Sequence, residues 1–360
     1  MSRIHNFSAG PAVLPESVIQ EAQQALWNFQ DTGLGLVEMS HRSKVFEAVA
    51  ASATERLGRL LGVGDTHHIL FLQGGASSQF FMVPMNLLRG GTASYVDTGV
   101  WSAKAIKEAQ RFGTVDVPFS SKSAGYDRVP MAGSWEDRVP SDAVYVHYTS
   151  NNTVAGTQFP YVPDLAVPMV VDASSDILSR TWDAAAHDII YAGAQKNLGP
   201  SGLTLVAVKK DLVDRFDPDL PTMLRYGTHI AKDSMFNTPP TFPIYVVERV
   251  CKWIEDNGGL PAMEARNRAQ AAKVYAAIDG TDFWCGKTAV DSRSIMNPTF
   301  TTGSDELDTT FWKSAAEQGL SGLKGHRSVG GLRASMYNAL PDAAVDALVD
   351  FMAEFERTHG

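Results

Sequence analysis

A chain of 360 residues with 44% hydrophobic and 20% charged side chains can bury one large core and one smaller core, or two of similar size, and no low-complexity run points to disorder. A formal net charge of −9, a pI near 5.5 and no cluster of Lys and Arg argue against a nucleic-acid partner. Two cysteines, Cys251 and Cys285, are too few for a disulfide framework or a cysteine-based metal site, so no metal is expected. No stretch approaches about 18 uninterrupted apolar residues, and "MSRIHNFSAGP" lacks a charged region followed by an apolar one, so the expected location is the cytosol, away from membranes.

Taken in chain order, short apolar runs alternate with helical patterns. The runs are Ile69 to Leu72, Ala93 to Asp97, Thr114 to Val117, Ala143 to His147, Pro168 to Asp172, Asp188 to Ala192 and Leu203 to Val208. Near-continuous apolar strands between helices predict an α/β fold with a mainly parallel central sheet covered on both faces. From Thr241, the spacing of Ile244, Val247, Cys251 and Ile254 predicts a helix ended by "NGG" at Asn257 to Gly259, expected to act as a hinge. Beyond it, helices near Pro261 to Ile278, Asp305 to Gln318 and Pro341 to Arg357, with strands near Met296 to Thr301 and Gly331 to Met336, predict a smaller α+β unit.

The chemistry centres on "GAQKNLGPSG", residues 193–202, where one amine, Lys196, stands among three glycines after an apolar strand. A lysine amine is protonated and inert at neutral pH unless its pKa is lowered or it is held as an imine with an aldehyde. By itself it reads as a solvated lysine in a surface turn. Its company changes that reading. In "VVDASS", Asp172 closes the preceding strand at its C-terminal end, where ligands sit in open α/β sheets. Alone it reads as a helix cap. Together, an amine and an acid at the ends of neighbouring strands match what pyridoxal phosphate needs, an imine partner and a group that keeps its ring nitrogen protonated.

A phosphate anchor is expected at "LFLQGGASSQF", residues 70–80, where a strand runs through a glycine turn into a helix starting at Ala76, Ser77 and Ser78. No Gly-Lys-Ser/Thr follows and no G-x-G-x-x-G is present, so it is neither a P-loop nor a dinucleotide turn. Thr153, in "SNNTVAG", lies within reach of a cofactor ring, and Trp101 offers either a stacking face or ordinary core packing.

These residues in this order resemble the class V aminotransferase group of fold-type I pyridoxal-phosphate enzymes. The resemblance covers nearly the whole chain, through "NFSAGPAVLP", "EMSHRSKVFE", "QGGASSQF", "DASSDILSR", "YAGAQKNLGPSG", "SMFNTPPTF", "KGHRSVGGLRASMYNA" and "FMAEFERTHG". It implies that Lys196 carries the cofactor and Asp172 pairs with its ring nitrogen. Trp101 stacks on the ring, Thr153 contacts it, and Ala76, Ser77 and Gln195 hold its phosphate. Asn237 and Thr238 are implied to reach the phosphate in a partner subunit, making a homodimer with shared active sites. Arg333 is the implied clamp for the substrate α-carboxylate. His41 and Arg42, with His326 and Arg327, would receive a substrate phosphate or the glutamate side chain.

The implied activity is transfer of the glutamate amino group to a phosphorylated keto acid. The expected division is a large cofactor-binding unit over 16–258 and a small unit over 1–15 and 259–360. Ser77 departs from members that carry arginine there. Rival readings are another activity of the group, such as serine–glyoxylate transamination, and a non-catalytic module binding an anionic metabolite at "QGGASS". Desulfuration is disfavoured, because Cys251 falls in a helical pattern and Cys285 has only Lys287 as a cationic neighbour.

Overall fold

The structure, a computed structural model, describes residues 3–360. A seven-stranded sheet organises the part of the chain before Thr241. Its strands are β1 (His67–Leu72), β2 (Thr92–Tyr95), β3 (Thr114–Asp116), β4 (Val146–Thr149), β5 (Met169–Asp172), β6 (Ile189–Gly193) and β7 (Thr204–Lys209), in the spatial order β1-β7-β6-β5-β4-β2-β3. From β6 to β3 every pairing is parallel, whereas β7 runs antiparallel to both β6 and β1. The sheet is mainly parallel, as the near-continuous apolar runs predict.

Alternation along the strands feeds two cores. Ile69, Phe71, Val171, Ile190 and Leu205 face one side and pack with α1 (Glu16–Trp27), α2 (Lys44–Leu61) and α5 (Thr241–Asp256). Leu70, Val170, Tyr191 and Val206 face the other and pack with α3 (Gly75–Leu87) and α4 (Val100–Ala109). Helices on both faces bury the central strands, and the edge strand β3 keeps Thr114 exposed. Each fully covered Val, Ile or Leu contributes roughly 1.5–3 kcal/mol, so a charge introduced at Ile190, which is 0% exposed, would oppose the whole layer.

A third core lies toward the C-terminus. Its elements are α6 (Gly259–Asp279), β8 (Cys285–Gly286), β9 (Thr299–Thr301), α7 (Asp305–Glu317), β10 (Leu332–Arg333) and α8 (Asp342–His359). Trp284, Phe300, Phe311 and Phe355 meet edge to face in its centre. Phe7 is buried in the same core, and His5–Asn6 pairs with Leu320–Ser321, so the N-terminal strand is tied to C-terminal elements. The expected strands over 296–301 and 331–336 are shorter than the apolar pattern implied. Pro298 has no N–H to give a ladder, and Gly330 and Gly331 adopt φ of +61° and +70° just before β10.

The helix expected as a hinge packs wholly on one side. Every buried apolar side chain of α5 belongs to the first core, so α5 is a structural part of the large layer. The helix that passes between cores is α6, with Leu260 and Met263 in the first core and Ala271, Val274 and Ile278 in the third. The fold thereby brings three strand ends, the N-terminus of α3 and β10 to one edge of the sheet.

Candidate active site

Asp172 ends β5 and pairs in register with Thr149 at the end of β4 and with Tyr191 in β6, so these C-terminal strand ends share a single edge. Lys196 follows β6 by three residues. A Cβ on Gly193 would come 2.7 Å from Oε1 of Gln195, which explains one glycine of the quoted run. Lys196, Asp172, Gln195, Trp101, Ala76 and Ser77 line one cavity, joined by Gly75, Phe80, Thr149, Asn151, Ser174 and Ser175.

Lys196 is buried, and its Nζ donates to Oγ1 of Thr153 at 2.7 Å. Burial pushes its pKa down from 10.5 to about 8, and Arg333 adds to the fall while Asp172 and Asp176 oppose it. The pKa thus falls close to physiological pH, so that far more of the free amine that a nucleophile or base needs is present than in an ordinary lysine. Burial pushes the Asp172 carboxyl above its ordinary value, against the hydroxyl and amide of Ser174, which donate to Oδ1 at 2.6 and 3.0 Å. No helix follows Asp172. Its side chain bonds the backbone two residues on, so the capping alternative gives way to a short turn that aims the carboxylate.

At the other end of the cavity the glycine turn makes an anion seat. Gly74 has φ +96°, and a Cβ there would overlap Oγ of Ser78. The turn delivers the chain into α3 without a side-chain cap, leaving the first-turn N–H groups of Gly75, Ala76 and Ser77 at the cavity edge. Trp101 stands at the opening, its ring centre 5.9 Å from Nζ of Lys196. Arg333 reaches in from β10, with Nη1 donating to the Thr153 carbonyl at 3.1 Å.

Three buried polar atoms here have no partner: Nε1 of Trp101, Oγ1 of Thr149 and Nε of Arg333. Unpaired buried donors are costly unless a ligand takes them. Larger hollows of 460 and 690 Å³ lie between α1, α2 and α5 and between α2 and Ala231–Met235, but none of the unpartnered buried atoms lines either. Chemistry outweighs size. An amine whose pKa burial has lowered, a buried carboxylate, a flat aromatic, an anion seat and unmet donors together fit pyridoxal phosphate.

Other expected residues are not in this cavity. Asn237 lines a separate hollow on the far side of the glycine turn with Gln73, Gly74 and Ser78, and the Thr238 carbonyl accepts from Gln73. His41 and Arg42 bond each other at 3.2 Å just before α2, outside the cavity. His326 and Arg327 lie on the loop before β10, and Arg333, Arg327 and Lys104 add to burial in lowering the His326 pKa. Lys104, over the Trp101 ring at 4.3 Å, was not anticipated from the sequence, and neither were Thr149 and Ser174. Ser174 had a signal, the Asp-x-Ser spacing of an Asp-led turn; Thr149 had only its place at the end of an apolar run. Cys251 is buried in α5 with its thiol pushed well up, and Cys285 is exposed on β8, so neither serves this cavity. Among the described residues no cluster of His, Cys, Asp and Glu suits a metal, and no helix is long and apolar enough to cross a membrane.

Comparison with known proteins agrees with the geometry. The Aminotransferase class-V family matches residues 4–348, and the chain belongs to that family. It is accordingly a transaminase of the pyridoxal-phosphate type. The particular relatives are phosphoserine aminotransferases: the Geobacillus kaustophilus protein is 53% identical over 99% of both chains, and the Pseudomonas aeruginosa protein 49% identical over 99% of both. Among solved structures, the phosphoserine aminotransferase of Bacillus circulans subsp. alkalophilus superposes with a TM-score of 0.96 at 49% identity over 99% of both chains. The Trichomonas vaginalis enzyme with pyridoxal phosphate bound gives 0.92 at 38% identity, covering 98% of this chain and 100% of that one. An alanine–glyoxylate aminotransferase from Nostoc, at 14% identity, shares the fold alone.

Proposed function

We propose that this chain is a phosphoserine aminotransferase, moving the amino group of L-glutamate reversibly to 3-phosphohydroxypyruvate to give O-phospho-L-serine and 2-oxoglutarate in cytoplasmic serine biosynthesis. 4-Phosphohydroxythreonine, in pyridoxine biosynthesis, is a second substrate of the same shape. The observation that carries the reading is the buried amine of Lys196 set opposite the buried carboxylate of Asp172 in a cavity with an anion seat.

When bound, pyridoxal phosphate supplies an aldehyde that takes up the amino group and a ring that spreads the electrons left by the α-proton. Ala76, Ser77 and Gln195 hold its phosphate, Trp101 covers its ring, and Asp172 keeps a proton on the ring nitrogen. Thr153, already bonded to Lys196, steers the amine. With the substrate in place, Lys196 would take the proton from the substrate Cα and hold it for return across the transferred nitrogen. Arg333 grips the α-carboxylate through two parallel N–H groups, a geometry only a guanidinium offers. His41, Arg42, His326 and Arg327 take the second anionic group, phosphate or γ-carboxylate.

Asn237 and Thr238 serve the cavity of a second copy, and the active protein is a homodimer. Their separation from Lys196 within one chain supports this reading. The large unit runs over 16–258 and the small unit over 1–15 and 259–360, supported by the burial of Phe7 with C-terminal aromatics.

Mixing the cofactor-loaded enzyme with phosphoserine, serine and alanine, and following the visible absorbance of each half-reaction, tests the reading. Phosphoserine should convert the spectrum far faster than alanine. Equal rates would show that no phosphate site operates and return the chain to a generic class-V transaminase.

A further inference from the structure

We infer that Ser174 is a positioning residue for Asp172: it occupies one carboxylate oxygen and leaves the other to the cofactor ring. The inference rests on the assignment of Asp172 to the ring nitrogen made above. The Ser174 amide and hydroxyl both donate to Oδ1 of Asp172, at 3.0 and 2.6 Å, and the hydroxyl oxygen accepts the N–H of Gly193 at 3.1 Å. Because Gly193 occupies a lone pair of that hydroxyl, its single proton is directed to Asp172. Among the described residues, Oδ2 of Asp172 receives no hydrogen bond, although Asp172 lines the cavity.

The result is one bonded chain, from Gly193 N–H through the Ser174 hydroxyl to the carboxylate. Gly193 closes the strand that presents Lys196, and Asp172 closes its parallel neighbour. Amine and acid are therefore held in a fixed relation from beneath. Two donors on Oδ1 also favour the ionised carboxylate, against burial that favours the neutral acid. Where Asp172 stays ionised, the shared proton belongs to the ring nitrogen. Without the Ser174 hydroxyl the balance moves toward a protonated carboxyl and an uncharged ring.

The experiment titrates wild-type apoprotein and Ser174→Ala, Ser174→Cys and Ser174→Thr with pyridoxal phosphate and with an analogue carrying C–H in place of the ring nitrogen, reading tryptophan fluorescence. A ¹⁵N-labelled ring reports protonation by its chemical shift. Wild type should prefer pyridoxal phosphate; Ser174→Ala should weaken it by about 10-fold while the analogue changes by no more than about twofold, the size of one hydrogen bond to a charged group. The ring ¹⁵N signal should move toward the unprotonated form, and Ser174→Thr should restore both readouts. If Ser174→Ala does not fold, the near-isosteric Ser174→Cys, a weak donor, carries the same comparison. Equal weakening of both ligands, or no change in either, overturns the inference, because Ser174 would then merely join strands or do nothing. If wild type itself fails to distinguish the two ligands, the assignment of Asp172 is what falls.

Discussion

The floor of the cavity and its rim are built to opposite specifications. On the floor, Lys196, Thr153, Asp172 and Ser174 are all buried, each bonded to a neighbour within one chain. On the rim, Arg327 is exposed, and around His326 the electrostatic influences are cations, Arg333, Arg327 and Lys104. The floor is a finished arrangement. The rim gathers positive charge on a chain whose net charge is −9, which complements the dianionic substrate proposed above. On that proposal, strands preset the reaction chemistry and loops choose the substrate.

The sharpest break in that comparison comes from the floor. Lys196→Ala removes the group that moves the α-proton, and kcat should fall by roughly 10³-fold or more, together with loss of the visible absorbance of the cofactor-bound protein. Retained absorbance would mean that another amine carries the cofactor. The same residue yields a stability prediction in the apoprotein. Its pKa is about 8 when folded against 10.5 ordinarily, so between those values the unfolded chain binds a proton that the folded chain does not. Stability from this group therefore rises with pH through the window, and below it the fold bears the full cost of a buried cation, about 3 kcal/mol at ~1.4 kcal/mol per unit. Lys196→Met should unfold at higher denaturant than wild type at pH 7, by up to that amount, and the gap should narrow as pH approaches 10.5. A gap independent of pH would show that the amine is solvated.

This division between floor and rim also explains what was legible in the sequence. Lys196, Asp172, Ala76, Ser77, Trp101 and Gln195 were found because each sits at a strand end or helix start that apolar runs and glycines mark, and those elements place them in one cavity. The parallel sheet was legible for the same reason: strands buried on both faces leave unbroken apolar words. The helix that bridges the cores was not. The apolar face of α5 stands out in the sequence, whereas α6 carries no such clear face, and only tertiary packing decides that α6 spans two cores. Thr149 and Lys104 were missed because a strand-end threonine and a helical lysine have no local signature; only the fold sets them beside Asp172 on the next strand and over the Trp101 ring.

Between floor and rim stands Arg333, buried yet with an unpaired Nε. Arg333→Met should lower kcat/KM by about 10²-fold for phosphoserine and glutamate alike, since both present an α-carboxylate, and Arg333→Lys should recover only part because an ammonium cannot make the paired contact. Thermal melting guards against a trivial cause, because Nη1 also holds the Thr153 carbonyl. A loss confined to one substrate would move Arg333 from the shared carboxylate to the variable group.

The smallest effect tests the rim alone. Arg327 is exposed and makes no ion pair among the described residues, so Arg327→Ala should leave stability within about 0.5 kcal/mol. Its cost should appear as about a 10-fold rise in KM for phosphoserine, the order expected for one charge-assisted bond at a partly solvated site, with alanine turnover unchanged. Added salt should erode the wild-type preference for phosphoserine more than that of the variant, because screening acts on exposed charges and spares the buried floor. Were alanine and phosphoserine to suffer equally, the loop before β10 would be shaping the floor, and the separation of chemistry from selection would be wrong at this point of contact.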